Sequence, residues 1–305
     1  MVVLVQSFIN VVPLLIALWL GYVLGKRGYV ALSKAITPVI WVILGLIGMQ
    51  SAAVLTSMSV GLALLSKATL YASVLSMLVF VGLLPLNSKH ASAQTRWSWA
   101  LLWFPLKECV LAFSMIGLGV GLYLVIGDVQ GWPQHFLELT YWIYALVFLV
   151  GVELSTYPVN QSWLSWKLLR IPLIVLLCSL LGGVVLALLD SESIFVALAL
   201  SSGFGWFSLS GALAADYLGS SYGALAVLVN LIRELIGLTL VLLMGRSYAA
   251  SGIGVCGATA LDTTLPFIRK GCDQHWLAAA IVCGLVLTLV APVLMLIFFE
   301  LATTA

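Results

Sequence analysis

The feature that most limits how this chain can fold is a series of long apolar runs with almost no charge inside them. Taking about 20 residues per membrane crossing, strong candidates fall at 2–25, 35–55, 68–86, 98–126, 138–152, 169–189, 222–245 and 276–300. Two further apolar segments, 193–215 and 252–268, are interrupted by Gly, Ser, Thr and Pro. Of 305 residues, 63% are hydrophobic and 8% charged, against about 25% charged in a soluble domain. The runs are continuous rather than alternating, which argues against a transmembrane barrel. The expected fold is an all-α polytopic membrane protein, with eight spans plus two broken or re-entrant segments, or ten full spans. Residues 1–305 read as one integral membrane unit, loosely a first half 1–160 and a second half 161–305 with possible internal repeats.

Several function classes recede on composition. The net charge of +2 is too small to suggest nucleic acid, and no phosphate-cradling loop is present, so energy would come from a gradient. The five cysteines are scattered and give neither a disulfide framework nor metal-ligand spacing. No cofactor or metal is expected. The first basic pair, Lys26-Arg27, follows the first apolar run instead of preceding it, which fits a span better than a cleaved signal.

Lys and Arg collect in cytoplasmic loops. Lys26, Arg27 and Lys34, then Lys89 and Arg96, then Lys167 and Arg170 occupy alternate loops, while Lys67, then Asp128 and Glu138, then Asp190 and Glu192 fall between them. Both ends of the chain are therefore expected outside, on the face opposite the cytoplasm. Re-entrant geometry for 193–215 and 252–268 puts Arg246, Arg269 and Lys270 inside and Asp216 outside. Ten spans would move Arg246 outside.

Charged side chains are costly in hydrocarbon and usually mark an ion or substrate pathway. Glu108, Glu234 and Asp262 are three such acids. Asn230 lies one turn before Glu234, and Arg233 beside it requires an anion, with Asp262 or Glu108 the expected partner. Lys107-Glu108 in the fourth run echoes Arg233-Glu234, as internal repeats do. Leu200–Gly211 holds three glycines, four serines and three aromatics in twelve residues, a composition poor for continuous helix. Broken helices of this kind survive at membrane depth when they line a cavity. Gly203, Gly205, Trp206, Ser208 and Ser210 are the candidate lining residues there, and a tight helix crossing is the structural alternative. The second segment offers Gly257, Thr259 and Thr263 around Asp262, whose carboxylate either solvates a cation with these hydroxyls or caps a half-helix. Ser208 and Ser210 also admit an intramembrane hydrolase, but His90, His135 and His275 lie in loops or at a span end, and no Ser–His spacing supports it.

At these motifs the sequence resembles the LysO family of bacterial lysine exporters. Ser202-Gly-Phe-Gly-Trp-Phe-Ser-Leu-Ser-Gly211, Arg233-Glu-Leu-Ile236, Cys256-Gly-Ala-Thr259 and Leu261-Asp-Thr-Thr-Leu-Pro266 carry the resemblance, which is looser before residue 195. It implies a bacterial inner-membrane, multi-pass secondary exporter with both ends periplasmic, whose small-molecule substrate is lysine, and which is not an enzyme. A coupling proton fits, because one carboxylate that cannot hold both a proton and the ε-ammonium is the simplest antiport device. Export of another cationic amino acid, a diamine or an organic cation is the alternative. Two departures stand out: family members carry Glu where this chain has Phe104, and Asp where it has Asn230. Glu108 lies one turn beyond Phe104 and projects from a similar helix face. The broken segment 200–211 would hold the substrate's α-carboxylate on helix N-terminal amides.

Overall fold

The computed structural model describes residues 2–52, 58–87, 99–126, 138–157 and 165–304, with the backbone alone at 2–11, 58, 99–106, 108 and 109. Lys89, His90, Arg96, Asp128 and His135 lie outside the described residues, as does the side chain of Glu108. Twelve α-helices follow one another: α1 (Val2–Lys26), α2 (Ile36–Gln50), α3 (Met58–Gly82), α4 (Trp99–Ile126), α5 (Leu139–Leu154), α6 (Trp166–Asp190), α7 (Ile194–Ser201), α8 (Phe207–Leu218), α9 (Ser220–Met244), α10 (Ala249–Cys256), α11 (Leu265–Gly271) and α12 (Trp276–Thr304). No strand occurs among the described residues. The segments 30–50, 59–82, 166–190, 220–244 and 276–304 are each long and apolar enough to cross a membrane. The expected boundaries hold to within a few residues except at α3, which begins ten residues earlier than its apolar run. Lys67 and two serines dilute the hydropathy there without breaking the helix.

Leu173, Leu177, Leu181 and Leu188 project from one side of α6, and Val110, Phe113, Leu118 and Val125 from α4, all exposed. In water such rows would be unpartnered apolar patches; in a bilayer they meet lipid. The opposite faces pack through small residues. Gly21 and Gly25 of α1 lie against the backbone of α5 at Phe148 and Val152, and Gly151 of α5 against α1 at Leu18. A methyl group at these positions would strike a backbone carbonyl, so the helices pack at their closest approach.

Hydrogen bonds show which helix ends share a membrane face. Glu192, just before α7, accepts from Tyr222 near the start of α9 at 3.1 Å and from Lys67 of α3 at 2.7 Å. Asp216, near the end of α8, accepts from Thr140 at the start of α5 at 2.9 Å. Ser51, after α2, donates to the Ser220 carbonyl at 2.9 Å. The α7–α8 pair therefore enters and leaves on one face. The α10–α11 pair does the same on the other: Ser251 of α10 bonds Asn87, which follows α3, at 2.7 Å, while Gly271 and Cys272 close on Gly245 after α9. Among the described residues, the arrangement matches eight spans with two re-entrant hairpins entering from opposite faces. The first face carries Glu138, Asp190, Glu192, Asp216 and Glu300; the second carries Lys26, Arg27, Lys167, Arg170, Arg246, Arg269 and Lys270.

Single cysteines placed at Glu192 and Asp216 in a cysteine-free background will react with an impermeant maleimide from one side, and those at Arg246 and Arg269 from the other. Ten full spans would instead place positions 192 and 216 on opposite sides.

Candidate functional site

The two hairpins meet at their breaks. Between α7 and α8 the chain unwinds over Ser202–Trp206, with Phe204 at φ +48° and Gly205 at φ +88°. Between α10 and α11 it passes through Gly257 at φ +66° and a 3-10 turn, Gly257–Leu261. The Ala258 amide donates to the Phe204 carbonyl at 2.9 Å, so one break satisfies the other's backbone where no water would do so. A Cβ on Gly257 would run into that carbonyl, and only glycine takes the conformation without strain. Phe204 is a non-glycine in the left-handed region, a strain of about 1–3 kcal/mol that clusters at functional sites.

Polar side chains sealing the breaks come from the residues singled out by sequence. Asn230 of α9 accepts from the Gly205 amide at 2.9 Å and donates to the Ala226 carbonyl at 3.0 Å, and it is buried. Its amide is thus engaged by backbone. Gly203 faces Asn230 and Ser210 too closely for any side chain. Ser210 is buried against the Met295 sulfur at 3.6 Å, and Ser208 is buried near it in sequence. Trp206 packs on both hydrophobic clusters of the molecule, which fits its packing role. The Thr259 hydroxyl donates to the Cys256 carbonyl at 2.9 Å, capping α10, and Thr264 donates to the Thr259 carbonyl at 2.9 Å. These hydroxyls serve the turn's backbone instead of solvating Asp262.

The acids gather beside the second break. Thr263 donates its hydroxyl to Glu234 Oε1 at 2.7 Å and its amide to Asp262 Oδ1 at 2.5 Å, so one threonine joins the two carboxylates. Asp262 and Thr263 are exposed and Glu234 half-buried, although the Gly257 break lies only a few residues away. Two residues that sequence reading missed complete the group. Glu153, at the end of α5, lies within electrostatic reach of Asp262, and Tyr157 donates to the Leu261 carbonyl at 3.0 Å. The apolar run ends at residue 152, so by sequence Glu153 falls just outside it. Only the tertiary packing of α5 brings it to the second hairpin.

Arg233 points elsewhere. Its guanidinium is fully buried, donates Nη2 to Ser179 Oγ of α6 at 3.1 Å and lies over the Phe204 ring at 5.9 Å. Nε and Nη1 have no hydrogen-bond partner among the described residues, so the expected partnership with Asp262 is not formed; the side chain of Glu108, the other expected partner, lies outside the described residues. Neighbouring residues on a helix project about 100° apart, and Glu234 takes the face toward Thr263. The echo with Lys107-Glu108 does not extend to environment, since Lys107 is exposed. His275 lies at the surface beside Trp276, away from the buried Ser210. No group of His, Cys, Asp and Glu among the described residues could hold a metal ion.

A family model described as lysine exporter LysO matches residues 111–299. The chain is also 30% identical over 303 residues to the lysine exporter LysO of Escherichia coli K12, across 95% of this chain and 99% of that protein. The chain belongs to the LysO family. A putative lysine exporter of Haemophilus influenzae is 37% identical over 185 residues, 58% of this chain and 94% of that protein. No solved structure gives a significant match. The family match spans both hairpins and α9, so the crossing and its acids fall within the family's shared region.

Gly257→Ala will lower the melting temperature of the detergent-solubilised protein, because it adds both a disfavoured φ and a collision with Phe204. Gly117→Ala, with open space around it on α4, will not. Equal melting of the two variants would mean the breaks do not depend on this contact.

Proposed function

We propose that this protein exports L-lysine across the bacterial inner membrane in exchange for protons, with Glu234 as the exchanging carboxylate. The observation that carries the proposal is the Glu234–Thr263–Asp262 arrangement next to a break in the second hairpin. An ammonium entering there finds two carboxylates within one threonine's reach, and Glu153 adds negative potential from α5. The relatives' names supply lysine as the substrate. Accessible surface on Asp262 and Thr263 at this depth fits a wet cavity leading to the face rich in Lys and Arg, which the positive-inside rule makes cytoplasmic. Both chain ends then lie on the periplasmic side.

Exchange follows from charge accounting. An acid in a poorly solvated site is stable either protonated or paired with a cation, and an unpaired ionised state costs several kcal/mol. A lysine ε-ammonium arriving from the cytoplasm displaces the proton from Glu234. After reorientation toward the periplasm, a proton displaces the lysine. Asp262 keeps the site anionic enough to attract the cation, and Glu108, on the α4 helix that packs on α9, is the candidate first-half carboxylate. Glycine-lined breaks allow the hairpins to shift against each other, as discontinuous helices do in transporters.

Proteoliposomes loaded with labelled lysine will release it faster when the outer medium, facing the periplasmic side of the protein, is made acidic. Glu234→Gln will abolish this acceleration, and Asp262→Asn will reduce lysine flux about tenfold or more. Gradient-dependent lysine flux that persists in Glu234→Gln would refute the exchange.

A further inference from the structure

We propose that Arg233 is the receptor for the substrate's α-carboxylate, and that it makes the transporter select amino acids over diamines. The inference rests on the lysine-export reading and deepens it. It starts from an imbalance: a fully buried guanidinium has Nε and Nη1 without a hydrogen-bond partner among the described residues. Leaving buried charged donors unsatisfied costs on the order of several kcal/mol. The fold nonetheless retains this group, with two donors available to an acceptor that enters the crossing.

The guanidinium is also oriented. Ser179 of α6 holds Nη2 at 3.1 Å and the Phe204 ring lies under Cζ at 5.9 Å. Phe204 is the strained residue of the first break, and Cys256, which precedes Gly257 in the second break, is within electrostatic range of Arg233. A single fixed charge thus stands at the crossing, touching one hairpin and bordering the other. Any shift of the hairpins that opens the crossing also uncovers it.

At each half-helix C-terminus a hydroxyl, and not the guanidinium, meets a carbonyl. The Leu198 carbonyl at the end of α7 accepts from Ser201 Oγ at 2.9 Å and Ser202 Oγ at 2.7 Å, and the Cys256 carbonyl at the end of α10 accepts from Thr259 Oγ1 at 2.9 Å. Part of the start of α8 is likewise engaged: the amides of Gly205, Trp206, Phe207 and Ser210 donate to Asn230, Gly203, Gly205 and Trp206 oxygens at 2.9–3.1 Å. Among the described buried side chains at this crossing, the unmet hydrogen-bonding capacity belongs to Arg233.

Chemistry then sets the ligand class. Arg matches carboxylate geometry and holds its proton under all working conditions. Arg233 and Glu234 are consecutive on α9 and project in different directions, so one turn of helix presents a cation to one end of a ligand and an anion to the other. A basic amino acid has this charge pattern; a diamine has only half of it.

The test is competition against labelled lysine in proteoliposomes, with unlabelled lysine, lysinamide and 1,5-diaminopentane as competitors. Wild type will prefer lysine over lysinamide by about tenfold or more, with 1,5-diaminopentane competing no better than lysinamide. Arg233→Gln will weaken lysine competition until the two are nearly equal, and Arg233→Lys will recover only part of the preference. Ser179→Ala, which keeps the charge but loosens its anchor, will narrow the preference as well, and serves if the Arg233 variants do not fold. Glu234→Gln, read by equilibrium binding, will weaken lysine and lysinamide alike. Wild type that treats lysine and lysinamide equally, or Arg233→Gln that weakens both to the same degree, overturns the carboxylate role and leaves lysine export standing. Neither compound binding or competing in wild type overturns both readings.

Discussion

One backbone hydrogen bond, from Ala258 to the Phe204 carbonyl, holds the centre of this molecule together. In hydrocarbon a broken helix has no water to complete its amides and carbonyls, so an unwound segment is tolerated only if protein supplies the partners. Here two unwound segments supply each other, aided by Asn230 on one side and the Thr259 hydroxyl on the other. The glycines follow from that contact. Gly257 permits the approach to Phe204, and Gly205 lies where a Cβ would press on the Cys256 carbonyl.

From this crossing the rest of the fold acquires its layout. α9 runs past both breaks and carries Asn230, Arg233 and Glu234 within little more than one turn, so a single helix seals one break, places a cation between the hairpins and aims an acid at the second. The hydrophobic interior divides accordingly. One cluster surrounds α7 and α8 with α5 and the later part of α12, and the other surrounds α10 and α11 with α6 and the earlier part of α12. Each hairpin thus rests in its own packed half, and Trp206 touches both. A bundle divided in this way can change its relation at the crossing without dismantling either core.

Much of this was legible in the sequence because hydropathy and glycine placement report directly on lipid exposure and close approach. The all-α membrane fold and the two interrupted segments follow from apolar length, while the placement of Lys and Arg left eight spans with same-face entry and ten full spans both open. Asp262 and Glu234 stood out as charge in apolar surroundings, and the structure brings them together through Thr263. What the sequence did not disclose depends on tertiary neighbours. Glu153 falls one residue past an apolar run, and only the meeting of α5 with the second hairpin gives it meaning. Asn230 read as a cavity residue because a buried amide and a ligand-binding amide look the same in one dimension. Arg233 read as half of an ion pair, yet its neighbours are a serine hydroxyl and an aromatic ring.

The central claim is that lysine and a proton compete for Glu234 beside the crossing. The most direct measurement is proton release on lysine binding to the purified protein in weakly buffered detergent solution, followed with a pH indicator and compared with Glu234→Gln. The account predicts that wild type releases protons in proportion to bound lysine and that Glu234→Gln releases none. Lysine binding to wild type without proton release would contradict it.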